Sequence, residues 1–321
     1  MLPLRVIFMG TPEFAVATLG ALTMNGFNVI AVVTVPDKPA GRGQKITCSA
    51  VKEYAVENKI PVLQPEKLKD PGFIEKLKAY NADVFVVVAF RMLPEVIWKM
   101  PKSGTINLHA SLLPHYRGAA PINHVIINGE TKTGVTTFLI NENIDTGNIL
   151  LREEVEILPE ENAGDLHDRL MRTGARLVIQ TLKGISEKSI IPNPQSVYIK
   201  PGEIIHEAPK IYPDDCFINW DKDAHDIQNM IRGLSPYPGA RTKIANSSQS
   251  LILKLFESNV INEKHKLTPG SIITDDKSFL RIACRKGLIE ISLLQLEGKK
   301  KMTTCEFLRG FKISSFLITS I

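Results

Sequence analysis

The stretch that decides the fold is "LRVIFMGTPEFAVATLGALTMN", which runs from Leu4 to Asn25. It opens with an apolar, β-branched run that ends at Gly10. An apolar-periodic segment follows, with Thr11 placed to cap a helix and Pro12 to begin it. A strand that passes through a glycine into a helix is typical of the first βα unit of an α/β domain. "NVIAVVTV" then predicts a second buried strand over 28–35.

The same alternation continues further along the chain. Periodicity predicts helices over about 48–57, 71–79 and 163–182, and one through "PINHVIIN". The strands predicted among them are "ADVFVVVAF", "GTINLHA" and "GVTTFLI". Continuous apolar strands that alternate with helices indicate an α/β fold, a doubly wound, mostly parallel sheet covered on both faces. Such sheets bind ligands at the carboxyl ends of their strands.

The composition changes after residue 188. "SIIPNPQSVYIKPGEIIHEA", over 189–208, is rich in proline and lacks long helical periodicity, which suits a linker. Beyond it, short apolar runs are separated by glycine and charged turns, and this pattern predicts a small, OB-like β-barrel over 209–321. The predicted organisation is therefore an α/β domain over 1–188, a linker over 189–208 and a barrel domain over 209–321.

Composition and charge exclude several classes of protein. The chain has 321 residues, with 44% hydrophobic and 23% charged residues, near the globular average. Its longest apolar run is much shorter than a membrane span, and we expect no signal peptide at the N-terminus. The four cysteines show no metal-ligand spacing, so we expect reduced thiols, no metal site and a cytoplasmic location.

The excess of positive over negative charge lies in the C-terminal third. From residue 209 onward there are 17 Lys and Arg against 12 Asp and Glu, an excess that equals the net charge of +5 of the whole chain. This distribution is consistent with a polyanionic partner for the barrel domain. A lysine-rich solvated surface would give the same count. Nothing in the sequence recommends an oligomer, so we expect a monomer.

A reaction centre is predicted in "NLHASLLPHYRGAAPI", residues 107–122. Asn107 and His109 are two residues apart on a predicted strand, so their side chains project to the same face. Asp145 of "DTG" ends another strand-loop stretch and is placed to reach the imidazole, or else to bind turn amides beside Gly147. The amide can stabilise an oxyanion and the imidazole can carry a proton. This set best serves direct acyl transfer to an amine, although a lone histidine at a strand end is more often a core residue.

Three motifs give weaker signals. "GTPEF" has one glycine where a dinucleotide fold needs three, and "DTG" occurs once where an aspartic protease needs two, so neither class is expected. The loop "PDKPAGRGQKI" carries Lys38, Arg42 and Lys45 and almost no apolar side chains. It follows a strand at the predicted ligand-binding edge and is long for such a connection. The loop could bind phosphate, or it could be an ordinary surface loop.

Taken together, these motifs resemble the methionyl-tRNA formyltransferase family. The resemblance rests, in order, on "VIFMGTPEFA", "PDKPAGRGQK", "NLHASLLPHYRGAAPI", "IDTG" and "INWDKDAHDIQNMIRGLSPYPGA". "HASLLP" and "DTG" are shared by 10-formyltetrahydrofolate enzymes generally, whereas the loop and the C-terminal stretch narrow the resemblance to the tRNA enzymes. The chain departs from the pattern in "AFRMLP", where Arg91 stands in place of an expected glycine at a strand end that should border the folate pocket, and at Tyr237, where tryptophan is frequent.

The resemblance implies formyl transfer from 10-formyltetrahydrofolate to the α-amine of initiator Met-tRNA. It implies that Asn107 stabilises the oxyanion, that His109 manages protons and that Asp145 supports His109. The folate would be held by the SLLP segment, which consists of Ser111, Leu112, Leu113 and Pro114. Arg42, with Lys38 and Lys45, would engage the tRNA acceptor arm. The rival hypotheses are a folate-dependent formyltransferase that acts on a small amine and a non-catalytic RNA-binding protein on the same scaffold.

Overall fold

The structure, a computed structural model, describes residues 4–40 and 45–319. Residue contacts divide the chain into two compact units. The first consists of Met1–Gly118, Thr133–Val155 and His167–Glu207, and the second of Ala119–Lys132, Glu156–Leu166 and Ala208–Ile321. The segment that was predicted as a linker is thus grouped mainly with the first unit. The domain boundaries at 188 and 208 stay a prediction.

The first unit is built around a seven-stranded sheet. The strands of this part of the chain are β1 (Arg5–Gly10), β2 (Asn28–Val33), β3 (Lys38–Ala40), β4 (Lys45–Thr47), β5 (Val62–Leu63), β6 (Val84–Val88), β7 (Thr105–His109), β8 (Arg117–Gly118), β9 (Lys132–Leu139), β10 (Ile149–Glu156) and β11 (Glu207–Ala208). The sheet has the order β10-β9-β7-β6-β1-β2-β5. β5, β2, β1, β6 and β7 run parallel to their neighbours, whereas β9 is antiparallel to β7. The predicted doubly wound, mostly parallel sheet is confirmed.

Helices connect these strands where the sequence has helical periodicity. They are α1 (Glu13–Met24), α2 (Ala50–Glu57), α3 (Pro71–Ala79), α4 (Glu95–Trp98), α5 (Pro121–Ile127) and α6 (Ala163–Ser186). α2 and α3 begin where Ser49 and Asp70 accept hydrogen bonds from backbone amides of the first turn, as helix-capping side chains do. α1 begins one residue later than predicted, because Pro12 has an extended conformation and is itself the capping residue.

The order of the strands places a ligand site at their carboxyl ends. From β1 the chain builds one half of the sheet through β2 and β5, and then returns to the other side of β1 with β6 and β7. Core side chains from β1, β2 and β6 are fully buried, among them Ile7, Val33 and Val86. The central strands are therefore a rigid support for the loops that follow them.

The second unit contains an antiparallel, nearly closed, barrel-like sheet. Its strands are β12 (Ala240–Ala245), β13 (Ser250–Ile261), β14 (Ile272–Thr274), β15 (Leu280–Ala283), β16 (Leu288–Leu296), β17 (Met302–Thr303) and β18 (Leu317–Thr319). The order is β14-β15-β16-β13-β12-β18, with β17 on β16. α7 (Ala224–Gly233), α8 (Thr304–Gly310) and the earlier helix α5 belong to this unit. Ile227 and Ile231 of α7 lie in one buried cluster with Leu253 and Leu294 of the sheet. The predicted small barrel is confirmed.

No helix in the described part of the chain is both long enough and apolar enough to cross a membrane.

Candidate active site

Asn107 and His109 project from the same face of β7, as their spacing predicted. β7 lies between β6 and β9, and Asn107 is opposite Val87 on one side and Phe138 on the other. His109 is 7% exposed, whereas Asn107 is half-buried. Within residues 4–40 and 45–319, no hydrogen bond joins the side-chain amide of Asn107 to another residue. This amide can therefore donate to a ligand without first breaking a contact.

The two ring nitrogens of His109 face different groups. Nε2 lies 2.8 Å from the backbone oxygen of Tyr116. A carbonyl oxygen only accepts, so Nε2 carries the hydrogen, and the lone pair of the neutral ring is on Nδ1. Nδ1 lies 3.7 Å from Oδ2 of Asp145. That separation exceeds a hydrogen bond, so Nδ1 can take up a proton, and the carboxylate beside it would stabilise the resulting charge.

Asp145 lies in the loop between β9 and β10 and is held there by the backbone. Its φ is +53°, in the left-handed region that aspartate tolerates better than most residues. Oδ2 accepts a hydrogen bond of 3.0 Å from the amide of Gly118. A Cβ on Gly147 would lie 1.6 Å from the carbonyl oxygen of Leu139, so only glycine fits there. The predicted approach of Asp145 to His109 is observed, and the amide that its carboxylate binds is that of Gly118.

The SLLP segment is buried and tightly hydrogen-bonded. Ser111 and Leu113 have no exposed surface, and the Ser111 hydroxyl donates to the backbone oxygen of His115 at 2.7 Å. Leu112 is half-buried and Pro114 is buried. Thr136 of β9 fastens this segment, because its hydroxyl donates to Ser111 O at 2.6 Å and accepts from Leu113 N at 3.2 Å. The role of the segment in folate binding stays a prediction, and Leu112 is its most accessible member.

Gln195 was missed by the sequence reasoning, since its segment was predicted as a linker. It begins the short 3-10 helix Gln195–Tyr198 and is 5% exposed. Its amide joins Arg117 to the backbone of the Asp145 loop. No periodicity in a proline-rich segment marks one glutamine as buried, so only the three-dimensional structure identifies it.

Arg91 follows β6 and turns towards the connection after β5. Its Nη2 donates to Pro65 O at 2.9 Å and its Nη1 to Glu66 O at 3.0 Å. Partial burial lowers the pKa of this guanidinium from its ordinary value. The arginine that departs from the family pattern thus ties together two loops at the carboxyl edge of the sheet.

The basic loop is partly described. Lys38 is exposed, and β3 and β4 form a hairpin with Lys38 opposite Thr47. Arg42 lies outside the described residues, as does the side chain of Lys45. The base of the hairpin is fixed by Asp37, which forms an ion pair with Lys52 and accepts a hydrogen bond of 2.7 Å from Gln64. The hydrogen bond from Lys52, followed by that from Gln64, holds the pKa of the Asp37 carboxyl below its ordinary value.

Exposed lysines cluster on the second unit between β16 and β17. Lys299, Lys300 and Lys301 follow one another in this turn. The Lys301 ammonium lies 3.9 Å from the centre of the Phe256 ring, so an aromatic face is placed beside the positive charge.

Acyl transfer to an incoming amine is the chemistry that the described groups fit best. The Asn107 side-chain amide lies on β7, and His109 Nδ1 lies beside the Asp145 carboxylate at the carboxyl end of the same strand. The four cysteines are unpaired, and no group of three or more His, Cys, Asp or Glu within the described ranges is disposed to hold a metal ion.

Comparison with known proteins identifies the family. Residues 4–182 match the family model "Formyl transferase", and residues 210–312 match "Formyl transferase, C-terminal domain". A methionyl-tRNA formyltransferase of Flavobacterium johnsoniae is 51% identical over 311 residues, which is 97% of each chain. One of Bacteroides fragilis (strain ATCC 25285) is 49% identical over 312 residues, 97% of this chain and 96% of the relative. The chain belongs to the methionyl-tRNA formyltransferase family. The predicted family is therefore confirmed.

Solved structures support the fold of this formyltransferase. The N-formyltransferase from Helicobacter canadensis, in complex with folinic acid and dTDP-3-aminofucose, has a TM-score of 0.63 at 21% identity and covers 93% of this chain and 100% of that one. HypX from Aquifex aeolicus, in complex with tetrahydrofolic acid, has a TM-score of 0.63 at 17% identity and covers 95% of this chain and 47% of that one. At these identities the likeness concerns the fold alone.

Proposed function

We propose that the protein transfers the formyl group of 10-formyltetrahydrofolate to the α-amine of the methionine carried by initiator tRNA. The family supports this reaction, since relatives at 49% and 51% identity over nearly the whole chain are methionyl-tRNA formyltransferases. The observation that carries the proposal is the approach of His109 Nδ1 to Asp145 Oδ2, at 3.7 Å, on the edge where Asn107 presents its amide.

Asn107 donates to the formyl oxygen as negative charge develops on it. The bound folate supplies an activated formyl carbon, and the α-amine of the methionyl ester is the nucleophile. A half-buried amide without a described protein partner needs no rearrangement to donate, which is the condition for preorganised stabilisation. Removal of one such donor typically costs roughly 10²–10³ in rate.

His109 takes the proton that the amine loses as its nitrogen bonds to the formyl carbon. Nδ1 is the accepting atom, because Nε2 donates to Tyr116 O. Asp145 stabilises the imidazolium that results, and the same proton is then available for the departing folate nitrogen. No serine or cysteine nucleophile takes part, so the formyl carbon passes directly from one nitrogen to another.

The folate would lie beside the SLLP segment and the loop after β6. Leu112 offers apolar surface there, whereas Ser111 and Leu113 shape the segment from within. Arg91 is held by Pro65 and Glu66, so its side chain supports the neighbouring loop. The solved relatives from Helicobacter canadensis and Aquifex aeolicus hold folinic acid and tetrahydrofolic acid, which supports a folate as the donor.

The acceptor RNA would be bound by two basic surfaces. Lys38 of the β3–β4 hairpin, with Arg42 and Lys45 of the same sequence motif, would contact the acceptor arm, and Asp37 anchors the hairpin. The lysines of the second unit would follow the phosphate backbone, in keeping with the excess of cations after residue 208. Free cysteines suit a cytoplasmic enzyme. A monomer suffices because one chain supplies every site contact described.

A formyl-transfer assay tests the proposed function. Charged initiator tRNA should be formylated much faster than charged elongator methionine tRNA, and a small amine such as an amino sugar should not be formylated. Asn107→Ala and His109→Ala should abolish most transfer while tRNA affinity stays nearly unchanged. Wild-type turnover in either variant would remove the proposed mechanism, and preference for the small amine would favour the rival formyltransferase.

A further inference from the structure

Gln195 is a buried polar residue in an otherwise exposed segment. The residues around it carry apolar side chains that face solvent, such as Ile191, which is 78% exposed, and Val197, which is 66% exposed. Gln195 itself is 5% exposed. Tyr198 of this segment packs against a small core cluster, whereas the buried Gln195 amide needs hydrogen-bond partners of its own.

The Gln195 amide uses all its hydrogen-bonding groups. Nε2 donates to the backbone oxygens of Asp145, at 2.8 Å, and Gly147, at 2.9 Å. Oε1 accepts from Nη2 of Arg117 at 2.6 Å and from Nε at 3.1 Å. Two donors and two lone pairs are the full capacity of a side-chain amide. This complete use fixes the amide in one orientation.

The two partners of the Gln195 amide, the Asp145 loop and Arg117, both adjoin the catalytic groups. On one side, Nε2 holds the backbone of Asp145 itself. On the other, Arg117 lies between Tyr116, whose oxygen accepts from His109 Nε2, and Gly118, whose amide donates to Asp145 Oδ2. The Asp145 carboxylate thus joins these two segments at Gly118, and Gln195 joins them a second time through Arg117.

The Asp145 loop needs such a restraint. Asp145 has a left-handed backbone conformation, which for a non-glycine residue costs roughly 1–3 kcal/mol and persists only when the surroundings hold it. The Asp145 and Gly147 carbonyl oxygens would each lose a donor if the amide were absent. A relaxed loop would move the carboxylate away from Nδ1, and catalytic rates are sensitive to displacements of this kind.

We propose that Gln195 is a positioning residue, whose amide clamps the Asp145 loop to the Arg117 segment and so keeps the carboxylate beside His109. The inference rests on the proposed function for its catalytic consequence. Gln195 reaches no reacting atom. It acts through Asp145, and its loss should lower kcat and leave the KM for both substrates nearly unchanged.

Two variants distinguish the hydrogen bonds to Arg117 from those to the Asp145 loop. Gln195→Met removes every hydrogen bond at nearly constant volume. Gln195→Glu keeps the acceptor for Arg117 but replaces the donor to the Asp145 loop with a second oxygen. We expect kcat to fall roughly 10- to 100-fold in both variants, with KM values within about twofold of wild type.

A matched control excludes a purely structural effect. Thr181 is fully buried in α6, and its hydroxyl contacts Thr137 at 2.8 Å and donates to Leu177 O at 2.7 Å. Thr181→Val therefore removes buried hydrogen bonds in the same unit that involve none of the polar groups of the site. It should lower the thermal midpoint about as much as Gln195→Met and leave kcat unchanged.

Hydrogen exchange supplies a readout that needs no activity. The backbone amides that donate to this loop, that of Gly118 to Asp145 Oδ2 and that of Leu139 to Asn148 O, should exchange roughly tenfold faster or more in Gln195→Glu, because the loop that accepts from them loses its own hydrogen bonds to Gln195. They should keep wild-type protection in Thr181→Val. Wild-type protection of these amides in Gln195→Glu would overturn the clamp, whatever the activity.

The kinetic outcomes distinguish the inference from the proposed function. Wild-type kcat in Gln195→Glu, or equal kcat losses in Gln195→Met and Thr181→Val, would overturn the positioning role and leave formyl transfer intact. A wild-type enzyme that formylates no Met-tRNA would instead refute the proposed function, and exchange of these amides would still decide whether the clamp exists.

Discussion

Replacement of Asp145 by asparagine removes a charge from the site with little change in shape. The carboxylate Oδ2 lies 3.7 Å from His109 Nδ1, and the two side chains are 14% and 8% exposed. An asparagine oxygen in the same place would still accept from the amide of Gly118, which now lies 3.0 Å from Oδ2. The loop should therefore keep its conformation while the imidazolium loses its counter-charge.

The size of the effect follows from the distance. At an effective dielectric constant of about 20, unit charges separated by roughly this distance attract by about 4 kcal/mol. Each 1.36 kcal/mol changes a rate about tenfold. If the proton taken from the amine resides on Nδ1, Asp145→Asn should lower the rate of formyl transfer about a thousandfold.

The measurement is a single-turnover assay of formyl-methionyl-tRNA formation, with binding of tRNA followed separately. Asp83→Asn is a matched control, because Asp83 Oδ2 also accepts from a backbone amide, that of Arg5 at 2.8 Å, at the start of β6. That variant should transfer formyl groups at the wild-type rate. If Asp145→Asn transferred formyl groups at a rate within about tenfold of wild type, the carboxylate would not be the counter-charge of the His109 imidazolium.

Further changes test other parts of the site. Gly147→Ala should abolish most transfer and destabilise the fold by about 1–3 kcal/mol, since its Cβ would lie 1.6 Å from Leu139 O; a wild-type melting temperature and activity would contradict this steric argument. Arg42→Ala should raise the KM for tRNA without altering folate binding, so a change confined to the folate KM would disprove the loop assignment. Added salt should weaken tRNA binding through counterion release, and a flat response would count against the basic surfaces. Burial raises the pKa of the Cys284 thiol to about 12, so a thiol reagent should modify exposed Cys305 in the native protein and Cys284 only after denaturation; rapid native labelling of Cys284 would be the opposite result.

The fold was largely predictable because its signals are local. The apolar run before Gly10 forms β1, and the predicted helix over 71–79 is α3 residue for residue. The antiparallel pairing of β9 with β7 was not predicted, since a buried strand has the same apolar pattern in either direction. The small barrel was predicted from its short strands, but their order depends on contacts between distant residues.

The site was predictable only in part. Asn107 and His109 share a face because of strand geometry, which the sequence encodes directly. The approach of Asp145 was one of two interpretations, and the structure shows it together with a backbone amide as its partner. Thr136 and Gln195 act through buried hydrogen bonds to backbone atoms, and such contacts leave no pattern in the local sequence.

Arg91 shows how a departure from a family pattern is resolved by structure. Arg91 follows a strand whose end should border the folate pocket, so its presence left the detailed contacts with the folate open. Its guanidinium donates to Pro65 O and Glu66 O, so a long polar side chain is accommodated by backbone carbonyls of the neighbouring loop. The effect of Arg91 on folate contacts stays a prediction, and Arg91→Gly with a folate binding assay would measure it.

A double-mutant cycle between His109 and Asp145 tests the central claim most directly. Single-turnover formyl transfer to initiator Met-tRNA is measured for His109→Ala, Asp145→Asn and the double variant. If the carboxylate acts through the imidazole, the double variant should be no slower than His109→Ala alone. Losses that multiply, so that Asp145→Asn slows an enzyme already without its imidazole, would show that the two residues do not work as one unit.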